Sequence, residues 1–204
     1  ELDPATAVSR VEIVPVFAGS TRQLRTLGGY AETTAALDNG ADGYLQSSVN
    51  LNGALDSSGR HRLTVDIRKR LGTDDDTLAN PLDRYSLSYS SPVAQLLVGD
   101  HSYSLSPLLA ANELGRGFQA GAAVGPFGLK ALYFEDNWWQ SGKGDLGLAA
   151  EFSLPGAEDP DQSPYRVGVS MLSSPDGRAA YGLWQRLNPS ESLSLQVDAA
   201  LQSD

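Results

Sequence analysis

Leu45-Gln46-Ser47-Ser48-Val49-Asn50-Leu51-Asn52-Gly53-Ala54-Leu55 is the stretch whose reading decides the fold. Its odd positions run Leu45, Ser47, Val49, Leu51, Gly53, Leu55, and its even positions run Gln46, Ser48, Asn50, Asn52, Ala54. Side chains alternate across a strand, so one surface of this segment is apolar and the other hydrophilic. The split returns in Leu63, Val65, Ile67 and Leu71 against Thr64, Asp66, Arg68 and Arg70. Two later segments repeat it, with Leu146, Leu148, Ala150 and Phe152 against Asp145, Gly147, Ala149 and Glu151, then Leu193, Leu195, Val197 and Leu201 against Ser194, Gln196, Asp198 and Gln202. These segments are about as long as a membrane-crossing strand of ~9–11 residues.

Composition narrows the setting. The 204 residues suffice for one core or one barrel, and we expect one domain spanning 1–204. No run approaches the ~18 consecutive apolar residues of a spanning helix, and mean hydropathy is -0.25. A membrane barrel passes that test, because half of each strand faces away from lipid. A net charge of -10 argues against nucleic acid as a partner. The absence of cysteine excludes disulfides and thiolate metal sites. The chain begins at Glu1 with no basic or apolar leader, so any signal peptide is expected to have been removed or to lie outside this sequence.

Turn residues punctuate the alternating runs at hairpin spacing. Ser57-Ser58-Gly59-Arg60 and Pro175-Asp176-Gly177-Arg178 read as tight reversals, as do Gly125-Pro126-Phe127-Gly128 and Asn188-Pro189-Ser190. Longer polar connections fall at 38–43, 73–81, 141–144 and 155–164. Between them lie roughly twelve strands, near 9–18, 22–37, 43–55, 60–71, 82–90, 93–103, 115–124, 128–138, 144–154, 164–173, 178–187 and 191–202. An antiparallel meander is the simplest way to join them. One helical turn is expected, over Ser106 to Leu114, where Ala, Leu and Glu follow Pro107.

A soluble β-sandwich binding carbohydrate or protein also alternates, so it is the competing expectation. Three features favour a barrel. Charge is nearly absent from mid-strand apolar positions, whereas Arg62, Asp66, Arg68, Arg70, Glu151 and Asp198 fall on the opposite faces, where a lumen pairs them. Aromatics gather near strand ends, with Tyr85, Tyr89, Tyr133, Trp138, Trp139 and Tyr165 placed for a membrane interface. Several segments exceed the usual 5–6 residues of a soluble strand. Lys69 and Lys130 sit uneasily with lipid-facing strands. Lys69 falls on an apolar face and is expected near a rim, since a midplane lysine costs ~2–4 kcal/mol and a rim lysine ~0–1.

The stretch Gly99-Asp100-His101-Ser102-Tyr103-Ser104-Leu105-Ser106-Pro107-Leu108, followed by Gly115-Arg116-Gly117-Phe118, resembles an element of large bacterial outer-membrane barrels. In usher-like secretion barrels and in the very large barrel of the gliding-motility secretion system, a strand ending in Gly-Asp leads through a Ser/Leu-rich turn to a Gly-Arg-Gly strand start. The resemblance implies a protein-conducting or surface-assembly role. Gly99, Asp100, Gly115, Arg116 and Gly117 then form a turn brace in which Arg116 pairs with Asp100 across a hairpin. Barrels of this kind usually close on an aromatic final residue. Leu201-Gln202-Ser203-Asp204 departs from that, which raises the expectation of a fragment, a segment of a larger barrel, or a barrel inserted by another route.

Candidate sites are few. Asp100, His101 and Ser102 supply the three residue types of a hydrolase triad, the basis of a barrel-hydrolase alternative, but neighbours on a strand point to opposite faces. We therefore expect no catalytic residue and no enzyme. Asp38-Asn39-Gly40-Ala41-Asp42-Gly43 lacks the third-position oxygen ligand and the twelfth-position Glu of a calcium loop. Asp74-Asp75-Asp76 and Glu158, Asp159, Asp161 are acidic loops suited at most to weak calcium or magnesium binding beside lipid headgroups. The strongest positive concentration is Arg60, Arg62, Arg68 and Arg70, a cationic ladder facing acids such as Glu151 or Asp198, or anionic solutes.

Taken together, the residues predict an all-β protein: an antiparallel up-and-down transmembrane β-barrel of about twelve strands, or a segment of a larger one. Its expected place is the bacterial outer membrane, as a channel or a secretion or assembly component. Its expected partners are outer-membrane lipid and other chains of a larger envelope complex, without cofactor, metal centre or nucleic acid.

Overall fold

A computed structural model describes residues 5–13, 27–37, 43–71, 83–135, 144–154, 163–190 and 193–203. Every regular element among them is a strand, and no helix occurs among the described residues. In chain order these are β1 (Ala5–Ile13), β2 (Gly28–Leu37), β3 (Gly43–Ala54), β4 (Arg62–Leu71), β5 (Arg84–Ser90) and β6 (Ala94–Tyr103). They continue with β7 (Glu113–Val124), β8 (Phe127–Glu135), β9 (Asp145–Ser153), β10 (Tyr165–Ser173), β11 (Ala179–Ser190) and β12 (Leu193–Ser203). The strands follow one another in chain order as an antiparallel up-and-down sheet of twelve strands. Two compact units divide the chain, Glu1–Ser91 with β1–β5 and Pro92–Asp204 with β6–β12.

In the first unit the register aligns the alternation from strand to strand. Leu51 lies opposite Gly29 and Val65, and Val65 lies opposite Leu87, while Asn50 lies opposite Tyr30 and Asp66, and Asp66 lies opposite Ser86. A shift of one residue would turn every one of these side chains to the wrong face, so the repeat itself specifies the register. Lys69 lies on the apolar face opposite Ser47, two residues from the end of β4.

In the second unit the rows are longer. Leu96, Ala120, Ala131, Leu148, Met171, Tyr181 and Leu201 lie side by side across seven strands. The polar face behaves differently. Residues 104–112 leave β6 and fold back over that face, where Leu105 and Leu109 join Tyr103, Leu132 and Phe134 in the buried core. Gly147 and Gly182 make the room: a Cβ at Gly147 would lie 2.8 Å from Leu105 Cδ2, and one at Gly182 would lie 3.4 Å from Leu109 Cδ1. Burying each leucine stabilises this arrangement by about 1.5–3 kcal/mol.

Two expectations are corrected. The helical turn over Ser106 to Leu114 is absent. Ala110 and Asn112 adopt φ of 48° and 61°, outside the right-handed helical region, and Glu113 and Leu114 already belong to β7. Arg60 lies in a turn and not in β4, because Leu55 N–H donates to His61 O at 2.7 Å and holds the reversal closed to His61. Lys130, which sits uneasily with lipid-facing strands on sequence alone, shares the row of Gly121 and Ala149 on the polar side.

Candidate functional site

The apolar face of β6–β12 is exposed and almost without charge. Leu129, Leu148, Val169, Leu183 and Val197 are between 49% and 67% exposed, on five consecutive strands. A water-soluble sheet buries such rows under a second layer. Alanines at 120, 131 and 150, between Leu129, Leu148, Met171 and Tyr181, leave a shallow apolar depression of about 720 Å³ on this surface.

Among the described residues, charge enters this face only at one end, in the row Asp100, Arg116, Glu135. Arg116 Nε and Nη2 donate to the two carboxylate oxygens of Asp100 at 2.7 and 3.0 Å, a bidentate clasp that leaves the Asp100 side chain 4% exposed. One row inward, Phe118 and Tyr133 stack with ring centroids 6.1 Å apart, and Tyr133 Oη donates to Glu135 Oε1 at 2.9 Å. Aromatic rings thus form the border between an apolar band and a charged edge. The glycines of the motif serve close backbone approach: a Cβ at Gly117 would fall 1.9 Å from the Tyr133 carbonyl oxygen, and one at Gly115 would fall 2.6 Å from that of Glu135. Gly99 adopts φ of 94°.

On the polar face, segment 104–112 is fastened by polar groups as well as by its leucines. Ser104 N–H donates to Gln119 Oε1 at 3.1 Å, and Lys130 Nζ donates to Ser104 O at 3.1 Å. Ser106 Oγ and Ser170 Oγ are 3.1 Å apart, and Leu109 N–H donates to Ser106 Oγ at 3.1 Å. Beyond the segment the face turns charged. Arg166 Nη2 donates to Glu151 Oε2 at 3.0 Å, and the Arg166 guanidinium lies 5.4 Å from the Trp184 ring centroid. Gln196 Nε2 donates to Asp198 Oδ2 at 2.7 Å while Arg186 Nη2 donates to Gln196 Oε1 at 2.8 Å.

The polar face of β1–β5 has no covering segment among the described residues. Arg10, Glu32, Ser48, Arg68 and Arg84 lie in one row across the five strands. Arg10 sits 4.5 Å from the Tyr30 ring centroid, and Arg84 Nε is 3.5 Å from Asp66 Oδ2. Glu151 and Asp198 bond within the second unit, to Arg166 and Gln196.

The remaining sequence candidates fall as follows. Tyr85 and Tyr89 are on the apolar face of β5; Tyr85 Oη donates to the buried Asp83 at 3.0 Å, and Tyr89 Oη lies 2.7 Å from His61 Nδ1. Tyr165 begins β10 on the side of Val167. Asp100 and Ser102 share one face, and His101 lies on the other, its ring edge-on to Tyr103 at 6.2 Å. Trp138 and Trp139 lie outside the described residues, as do Asp38 to Asp42, Asp74-Asp75-Asp76 and Glu158, Asp159 and Asp161. Among the described residues no group of three or more carboxylates or histidines is placed to hold a metal. Sequence reasoning missed Gln119, Lys130, Ser106 and Ser170 as fasteners. Their signal was the run of Gly and Ala at polar-face positions 147, 149, 180 and 182, which marks where something rests on the sheet.

No family model matches the chain, and neither a curated protein nor a solved structure matches it.

Proposed function

We propose that the chain is an outer-membrane β-barrel, or a wall segment of a larger one, acting as a channel or as a secretion or assembly component. The observation that carries this reading is the exposed apolar face of β6–β12, uncharged row after row until the Asp100–Arg116–Glu135 edge. Lipid is the medium in which such a face is stable, and closure of the sheet, alone or with further strands, satisfies the backbone groups of its edges. Most strands run 9 to 12 residues, enough to cross the hydrocarbon at a tilt. The opposite face, with its Arg, Glu, Asp and Gln side chains, lines the aqueous side, and segment 104–112 narrows that side in the second unit.

The test is insertion energetics. Leu148→Arg places a cation in the middle of the apolar rows and is expected to cost about 2–4 kcal/mol of folding free energy in bilayers. Gln202→Arg, on the polar face, is expected to stay within about 0.5 kcal/mol. A protein that is monodisperse in plain buffer and indifferent to Leu148→Arg overturns the membrane reading.

A further inference from the structure

Residues 104–112 form a hairpin whose own bonds do not depend on the sheet beneath it. Leu105 N–H donates to Ala110 O at 3.1 Å and Ser106 N–H to Leu109 O at 3.0 Å, while Ser106 Oγ accepts from Leu109 N–H. Pro107 stiffens the tip. Among the described residues, every hydrogen bond that joins the hairpin to the strands runs through a strand side chain: Gln119 Oε1, Lys130 Nζ or Ser170 Oγ. Two of the three fall at Ser104, where the hairpin leaves β6, and the third, between Ser106 and Ser170, lies near the tip. No hairpin residue is charged, and Pro107 and Leu108 are exposed. The chain re-enters β7 through Ala110 and Asn112 at φ of 48° and 61°, so the docked hairpin is held under backbone strain.

The geometry points to a flap: residues 104–112 lift off the polar face as one unit, pivoting at Ser104 and at Ala110 to Asn112, and settle back. Lifting breaks the Ser106–Ser170 contact and withdraws Leu105 and Leu109 from their places beside Gly147 and Gly182. The hairpin's internal bonds, the pivot bonds at Ser104 and the strand ladders all persist, so opening is local and costs far less than unfolding. The floor it uncovers is low where Gly147, Ala149, Ala180 and Gly182 lie, and the space above it widens by the bulk of the hairpin. As a gate of the aqueous side the flap rests on the channel reading; its opening does not.

The chain has no cysteine, so introduced thiols report without background. Ser106→Cys and Ser170→Cys, both at positions 6% exposed, are expected to react completely with a water-soluble maleimide in the full chain in detergent micelles. Both should react at one common rate, at least about tenfold below that of Ser57→Cys in its exposed turn, and independent of guanidinium below the unfolding transition. Gel mobility of boiled and unboiled samples confirms that each variant is folded. Labelling that climbs with guanidinium in step with global unfolding, or that reaches Ser106→Cys but never Ser170→Cys, overturns the flap. Combining the two substitutions, at oxygens 3.1 Å apart, adds a lock. In planar bilayers the reduced double variant should step to a higher conductance that oxidation abolishes and reduction restores. Equal conductance in the two states overturns the gate. Denaturant-independent labelling without any conductance keeps the flap and removes the channel.

Discussion

The polar-face positions of β4 read Arg62, Thr64, Asp66, Arg68 and Arg70; those of β9 read Asp145, Gly147, Ala149, Glu151 and Ser153. On their apolar faces the two strands are alike except for Lys69 near the end of β4, each otherwise a column of Leu, Val, Ile, Ala or Phe. The contrast shows that one alternation serves two ends. Long hydrophilic side chains in the first unit keep the face wet, whereas small ones in the second leave a seat that returning chain fills with Leu105 and Leu109. Which outcome a strand gives depends on the volume of its polar-face residues more than on their polarity.

The largest effect should come from emptying that seat. Leu109→Ala removes a buried anchor and is expected to cost about 2–4 kcal/mol in guanidinium unfolding of the micelle-bound protein. Limited proteolysis should then cut within 104–112 while the strands persist. Thr64→Ala, at an uncovered position of the first unit, should change stability by less than about 0.5 kcal/mol. Equal effects at the two sites would erase the distinction between a filled face and an open one.

A second, smaller effect tests the charged edge. Asp100→Ala leaves Arg116 at the border of the apolar face without its bidentate acceptor, at a cost of about 2 kcal/mol. Replacing both, Asp100→Ala with Arg116→Met, should recover most of the loss, because the penalty belongs to the stranded charge. A double variant as unstable as the single one would mean that the clasp contributes through its own attraction.

The alternation from Leu45 to Leu55 and the spacing of Gly and Pro made the strands and their number readable, since period two and turn chemistry are local properties. Segment 104–112 was not readable in the same way. Its Ala and Leu content, with Glu113 just beyond it, favours a helical turn in isolation, and only the cavity above Gly147 and Gly182, built by strands 35 to 78 residues later, draws it into an irregular path. Lys130 shows the same limit: its face follows from a register set by β7 and β9, and its partner is a backbone oxygen of that segment.

The smallest effect is common to both units and concerns acid. Asp56 accepts from Ser58 Oγ and from His61 N–H, and Asp176 accepts from the Arg178 side chain and N–H; these bonds hold both carboxyls below the ordinary value of 3.8. A lowered folded value means that each turn is fully braced above that ordinary value and loses its brace as pH falls through the folded one. Amide exchange at His61 and Arg178, corrected for intrinsic rates, should therefore accelerate only below about pH 4. Acceleration beginning near pH 6 would point to a histidine in place of these carboxylates.

Ala110 and Asn112 hold left-handed backbone although neither is glycine, a posture that costs a side-chain-bearing residue about 1–2 kcal/mol. The chain therefore re-enters β7 as a bent spring held at its free end by two leucines. Ala110→Gly would slacken the spring and make the covered face harder to uncover, so the native alanine keeps the cover closer to release than the fold alone requires.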